Sequence, residues 1–202
     1  VSEIKKLKVY LSQKNLFNKK KLKITSILID QANFLVQPDN VIFFKNFINK
    51  KFSNKNVNIK NSNIFVKNNI NETIAIIKIS KILFFHEAKK FTNNLNFKGE
   101  IFNLLLDLDF NKKIEAGSKS IININLENLK LNISDESYHE SKNIIKGFNS
   151  ISILNSKLDT SYKLKENLLI FESNKSRLVN SNIYYKGKLS IEPFNFIINV
   201  DI

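Results

Sequence analysis

Glu100-Ile101-Phe102-Asn103-Leu104-Leu105-Leu106-Asp107-Leu108-Asp109-Phe110 alternates along its whole length. Phe102, Leu104, Leu106, Leu108 and Phe110 share one parity; Ile101, Asn103, Leu105, Asp107 and Asp109 share the other. Strand side chains point to opposite faces with period two, so the stretch reads as one long strand with an apolar face and a face kept in water by carboxylates. Lys98-Gly99 precedes it, and Lys186-Gly187-Lys188-Leu189-Ser190 repeats the device near the other end of the sequence. There a glycine, read as a turn, opens a second alternating run through Pro193-Phe194 to Val200-Asp201-Ile202. Phe194, Phe196, Ile198 and Val200 make its apolar parity. One strand device used twice predicts a repetitive β architecture and argues against a compact enzyme with one cleft.

Outward from these runs, strand patterns continue. They cover residues 5–11, 22–36, 57–66, 73–85, 89–97, 120–133, 144–153, 161–165, 168–173 and 182–202. Several switch parity partway. In 22–36, Ile27 and Ile29 occupy one parity and Leu28, Ala32, Phe34 and Val36 the other. Residues 120–133 change from Ile122, Ile124 and Leu126 to Leu129, Leu131 and Ile133, and 182–202 changes at Pro193. A register change inside a strand implies a bulge or bend. Asp135 to Lys142 reads as a polar loop. Asn68-Asn69, Asn111-Lys112 and Glu166-Asn167 read as hairpin tips, because asparagine tolerates positive φ better than other residues with a Cβ.

One segment departs from period two. Pro38-Asp39-Asn40 breaks the strand, and Val41, Phe44, Phe47, Ile48 and Phe52 recur at helical spacing. Asp39 or Asn40 can serve as N-cap, which predicts one short amphipathic helix over about 40–51. Its aromatic stripe suits either the closed end of a sheet or a membrane surface. The expected fold is therefore mainly β: long antiparallel strands in a curled, groove-like or elongated sheet, with that single helix. A smaller recurrence, Asn61-Ser62-Asn63-Ile64-Phe65 and Asn180-Ser181-Asn182-Ile183-Tyr184, lies upstream of each glycine. The chain then reads as a single repetitive β region over 1–202 with two related halves, about 22–112 and 113–202. It has no Met, begins with Val and ends inside a strand pattern, so it is expected to be a section of a longer protein.

The net charge is +14. An anionic partner is one explanation. The other is codon drift in an AT-rich genome: Lys, Asn, Ile and Phe abound, while Arg177 is the single arginine, beside four Gly and two Pro. Arginine is the residue whose planar fork matches phosphate, so specific nucleic-acid recognition is not expected. There is no cysteine, hence no disulfide frame and no thiolate metal site. His86 and His139 each lie beside a glutamate without a second ligand at metal spacing, and read as exposed strand-end or loop histidines. No phosphate loop or nucleophile elbow is present. The sequence therefore predicts no catalytic residues, no cofactor and no metal, and assigns the candidate functional surface to the apolar parity of the two repeated runs.

Three segments together resemble the AsmA-like family of bacterial envelope proteins. They are the strand Lys23 to Phe34, the helix followed by Ile59-Lys60-Asn61-Ser62-Asn63-Ile64-Phe65, and Tyr185-Lys186-Gly187-Lys188-Leu189 running into Pro193-Phe194. The resemblance spans about 22–202. It implies a periplasmic β region, anchored to the inner membrane by a segment outside this sequence. It also implies a part in phospholipid transfer or outer-membrane assembly through an apolar groove. The partners it implies are phospholipid or a membrane surface, with other envelope proteins. A structural or adhesive β-repeat that presents loops to a partner is the alternative from a different class, and nucleic-acid binding through the lysine excess is the third.

Overall fold

The structure, a computed structural model, describes residues 3–14, 17, 21–114, 118–190 and 193–201, with the backbone alone at 41, 42 and 45. It is mainly β, a fourteen-stranded and mostly antiparallel sheet with very little helix. The chain divides into two compact units, residues 1–109 and 110–202, and each has its own logic.

In the first unit, β1 (Glu3–Leu11), β2 (Ile24–Val36), β3 (Asn56–Lys67), β4 (Thr73–Glu87), β5 (Thr92–Ile101) and the start of β6 (Leu104–Lys113) are neighbours in chain order. One pair is parallel: β2 and β3 run the same way. Parallel neighbours cannot be joined by a tight turn and need a crossover, and the helix serves that purpose. A 3-10 turn, Pro38–Asn40, leads into α1 (Val41–Asn49), close to the expected 40–51. Asn40 stands at the N-cap, but its side chain does not cap the helix; its Oδ1 accepts the Gln37 N–H at 2.9 Å.

The parity switch expected in the second strand is a bulge, and it crosses three strands. Gln31 in β2 and Asn61 in β3 both take left-handed backbone, φ 55 and 46, at matching positions of the parallel pair. In β4 the register against β5 slips between Ile79 and Lys81. Each extra residue moves the following apolar residues back to one face. That face therefore carries Ile27, Ile29, then Ala32 and Phe34 in β2; Val57, Ile59, then Ser62 and Ile64 in β3; and Phe84, Ile82, then Ile79 and Ile77 in β4. Uninterrupted β5 contributes Leu95, Phe97, Gly99 and Ile101. Ser62 repairs the backbone at the bulge: its Oγ accepts the Ala32 N–H at 2.9 Å and donates to the Lys60 carbonyl at 2.6 Å.

The second unit comprises β7 (Lys119–Leu126), β8 (Leu131–Ser141), β9 (Ile144–Ile153), β10 (Ser156–Lys165), β11 (Leu168–Ser173), β12 (Ser176–Leu178), β13 (Ser181–Ser190) and β14 (Asn195–Asp201). Strands β7 to β11 pair in chain order; β13 pairs with β11, β12 and β14, and β12 also meets β10. These pairings are antiparallel.

Several expectations are corrected here. The run 100–110 is two strands, because Phe102 (φ 51) and Asn103 (φ 62) both adopt the left-handed conformation of a two-residue hairpin turn. The run 120–133 is also two strands: residues 127–129 form a 3-10 turn and Lys130 (φ 50) reverses the chain. The expected polar loop Asp135 to Lys142 belongs mostly to β8. Both parities there are mostly polar, with Asp135, Ser137 and His139 on one and Glu136, Tyr138 and Glu140 on the other, so a hydrophobicity pattern does not register the strand. Asn111-Lys112 lies inside β6, whereas Asn68-Asn69 and Glu166-Asn167 do flank or form turns. The run 182–202 is β13, a turn at Pro193 and Phe194, and β14; residues 191, 192 and 202 lie outside the described residues.

Gly99 and Gly187 are not turn residues. They lie within β5 and β13, and with Gly147 in β9 they share a different function. A Cβ on Gly99 would collide with the Lys78 carbonyl and the Phe97 ring, one on Gly187 with the Ile197 carbonyl and the Phe171 ring, and one on Gly147 with the Tyr162 ring. In register, Gly187 faces Phe171 and Gly147 faces Tyr162 across neighbouring strands. The missing side chain makes room for an aromatic ring against the strand, and at Gly99 and Gly187 for a neighbouring carbonyl as well.

Candidate apolar face

Each unit has one apolar and one polar face, and the apolar face is the candidate site. In the first unit it is partly a core: Ala32, Val57, Ile79 and Phe97 are buried. Its end is closed by aromatic stacking. Phe47 of α1 stacks on Phe52 with centroids 4.8 Å apart and meets Phe84 of β4 edge-on at 5.8 Å; Phe52 also meets Phe84 at 5.7 Å. Of the two readings of the helix stripe, closing the sheet end describes Phe47. Phe43 is 64% exposed, while Phe44 and Ile48 are also exposed.

Beneath that aromatic cap lies a polar network that the sequence did not reveal. His86 is buried, not exposed as expected, and Asn93 is fully buried. Asn93 Oδ1 accepts the Phe52 N–H at 3.0 Å and its Nδ2 donates to the Lys50 carbonyl at 2.7 Å, tying down the chain that leaves α1. Those bonds fix which amide atom is oxygen. His86 Nδ1, 3.0 Å from that oxygen, must therefore carry the proton. His86 Nε2 is buried without a hydrogen-bond partner among the described residues. The legible signal was Asn93 sharing parity with Leu95 and Phe97, an amide on an otherwise apolar strand face. His139 is half-buried in β8.

The apolar face of the second unit is more open. Rows run across its strands in register: Ile124, Ile133 and Ile151, then Leu158; and Leu164, Leu169, Leu189 and Phe196. A polar row separates them: Asp135, Asn149, Thr160 and Ser173 are successive register partners. Tyr162 Oη lies 3.0 Å from both oxygens of Asp135. Burial first, then the negative charge and the hydrogen bond of Asp135, push the Tyr162 hydroxyl up to about 12. Thr160 Oγ1 and Tyr185 Oη make a further hydrogen bond at 2.5 Å. A depression of about 270 Å³ lies over this row, lined by Asp135, Asn149, Thr160, Tyr162, Leu169 and Phe171.

The sequence-based site residues divide between these settings. Leu104, Leu106 and Leu108 lie on one parity of β6 and are half-buried; Phe110, next on that parity, is buried and begins the second unit. Phe102 does not join them: it is 70% exposed on the hairpin turn, because the strand ends at Ile101. Phe196, Ile198 and Val200 continue the apolar parity of β14 and are all exposed. Phe194 is 73% exposed in the turn before that strand. The expected groove residues are therefore distributed over β6 and β14, with both turn phenylalanines off the face.

The opposite faces are ladders of cross-strand ion pairs: Lys78 to Glu100 at 2.7 Å, Lys98 to Asp107 at 3.0 Å, Lys119 to Glu136 at 2.6 Å. Asp159 is buried on that side, where it meets Lys157 at 2.8 Å and the Ser150 hydroxyl at 2.6 Å. Burial opposes its ionisation, but the hydrogen bonds from Lys157 and Ser150 and the Lys157 charge outweigh it and hold the carboxyl below the usual range. No group of three or more histidine, cysteine, aspartate or glutamate side chains able to hold a metal ion exists among the described residues, and no described helix is long and apolar enough to cross a membrane. No family model, curated protein or solved structure matches this chain.

Proposed function

We propose that the chain is a non-enzymatic lipid-contacting module whose apolar sheet face accepts acyl chains. The observation that carries this is the second unit's apolar face: in-register rows of Ile, Leu and Phe with the Tyr162 and Phe171 rings beside glycines, half-buried to exposed, and no second layer among the described residues packed against them. A sheet with one apolar face needs something to cover it. An acyl chain does so by area alone, at about 0.8 kcal/mol per methylene buried, and needs no directional contact. In this reading the chain is a periplasmic section of an AsmA-like envelope protein, with phospholipid as cargo and outer-membrane assembly as the process.

An adhesive β-repeat would place its recognition in elaborated loops. The second unit's connections at 142–143, 154–155 and 166–167 are two-residue turns, which favours the lipid reading. Native mass spectrometry of the chain purified from a bacterial host tests it. Copurified phospholipid, lost on Leu169→Asp, is expected; a lipid-free protein that also fails to take up fluorescent fatty acid would overturn the proposal.

A further inference from the structure

The polar face of the second unit holds a second candidate site. On the polar faces several lysines are paired with carboxylates, across strands in Lys78–Glu100 and Lys98–Asp107 and along β10 in Lys157–Asp159, while Lys60 and Lys81 of the first unit face each other in register. In the second unit a cavity of about 550 Å³ has Lys146, Lys163, Lys186 and Lys188 in its lining. Lys146 and Lys163 share a single carboxylate, Glu140, at 2.5 and 3.7 Å. Lys186 and Lys188 make no ion pair among the described residues, although Glu172 is the register partner of Lys186. The cavity thus gathers four lysines in its lining against Glu172 and the Glu140 that two of them share.

The register places these groups. Lys146, Lys163, Ile170, Lys188 and Ile197 are successive partners across β9, β10, β11, β13 and β14. Neighbouring strands are about 4.8 Å apart, so Lys163 and Lys188 flank Ile170 at a span of roughly 10 Å, within reach of two extended lysine side chains for one anion between them. Ile170 and Ile197 are exposed there. Cations beside exposed isoleucines suit an anion carried on an apolar body.

We propose that this cavity binds a phosphate-bearing anion, with Lys186 and Lys188 as its principal contacts and Ile170 and Ile197 against the adjoining apolar group. The site lies on the face opposite the acyl-chain rows and does not depend on them. Phosphate of this kind is available as an anionic lipid headgroup or as a free phosphate ester.

The test compares the native chain, Lys186→Gln/Lys188→Gln, and a control with the same charge change, Lys60→Gln/Lys81→Gln on the first unit's polar face. Each is titrated with phosphatidylglycerol vesicles, phosphatidylcholine vesicles, pyrophosphate and duplex DNA near 0.15 M salt. Phosphatidylglycerol binding is expected to weaken roughly thirty-fold in the cavity variant and much less in the control. Phosphatidylcholine binding is expected to be unaffected by the cavity variant. Pyrophosphate that competes with the vesicles identifies the headgroup as the source; pyrophosphate bound alone, with the same variant dependence, identifies a free ester. Equal losses in both variants would reduce the effect to diffuse charge and overturn the site. So would absence of both vesicle and pyrophosphate binding, or duplex DNA as the one ligand sensitive to the variant. Fatty-acid uptake, read in the same samples, reports separately on the apolar face.

Discussion

The two units solve the same problem differently. Both have one apolar sheet face. The first bends its strands with bulges at Gln31 and Asn61 and closes one end with Phe47 and Phe52, so that Ala32, Val57, Ile79 and Phe97 become a core. The second has no α-helix and no parallel strand pair among its described residues; its face stays half-open and is interrupted by the row Asp135, Asn149, Thr160 and Ser173. Charge differs as well: residues 1–109 hold nineteen lysines against eight acidic residues, while 110–202 hold thirteen lysine and arginine residues against ten. The +14 of the whole chain is therefore mostly a property of the first unit, yet the one cation-rich cavity described above lies in the second. Net charge and local charge are separate quantities, and only the second indicates a site.

The contrast breaks most decisively at the two apolar faces. Ile79→Asp puts a carboxylate in a buried position and is expected to cost about 3–5 kcal/mol. Leu189→Asp, on the half-open face, should cost less than half of that. Urea denaturation of both variants checks the order, and equal losses would mean that the second face is as closed as the first. Asn93→Leu probes the helix closure. It strands the Phe52 N–H and the Lys50 carbonyl, so a loss of about 2–3 kcal/mol is expected in the same assay. A neutral result would make the closure purely aromatic.

Smaller effects sharpen the account of the second unit. Gly147→Ala should cost about 1–3 kcal/mol through collision with the Tyr162 ring, and most of that should vanish in a Tyr162→Leu background. Additive losses in that cycle would remove the ring as the cause. The same tyrosine gives an alkaline signature. Its hydroxyl is raised in the folded state, so its stabilising contribution is complete below about pH 10, the ordinary tyrosine value, and falls away as pH rises toward about 12. Asp159 has the opposite sign: its carboxyl is held low, so its contribution is complete above the ordinary carboxylate range and declines as pH falls below it. Stability measured against pH should show a shallower alkaline decline in Tyr162→Phe and a shallower acid decline in Asp159→Asn. In the first unit, Gln31→Gly removes a Cβ from left-handed backbone and should stabilise by up to about 1 kcal/mol, measured by thermal melting.

Much of the architecture was legible because long strands write their faces into parity. The helix was legible from its period and its preceding proline. The parity switch near Gln31 was correctly a bulge, since the strand continued on the far side with the same neighbour. The switches near Lys130 and Pro193 looked identical in sequence but are chain reversals. Phe102-Asn103 was the hardest case: a two-residue turn with no glycine inside an unbroken alternation leaves no mark on the pattern. It also placed Ile101 and Leu104 on opposite faces when both belong to the apolar one. The glycines misled for a related reason, because a residue without a Cβ signals either positive φ or a ring overhead, and only the cross-strand register distinguishes them. The His86–Asn93 network and the Tyr162–Asp135 pair depend on that register too, and parity alone cannot supply it.

The crossover between β2 and β3 also sets a timetable. Strands β8 to β11 meet across two-residue turns, so their pairings close short loops and can form early. The parallel pair cannot form until residues 37–55 have been gathered into the crossover, and its matched left-handed residues must align at the same time. Hydrogen-exchange labelling during refolding should therefore find the amides of β9 and β10 protected before those of β2 and β3. The half-open unit would then be the first part of the chain to present an apolar surface.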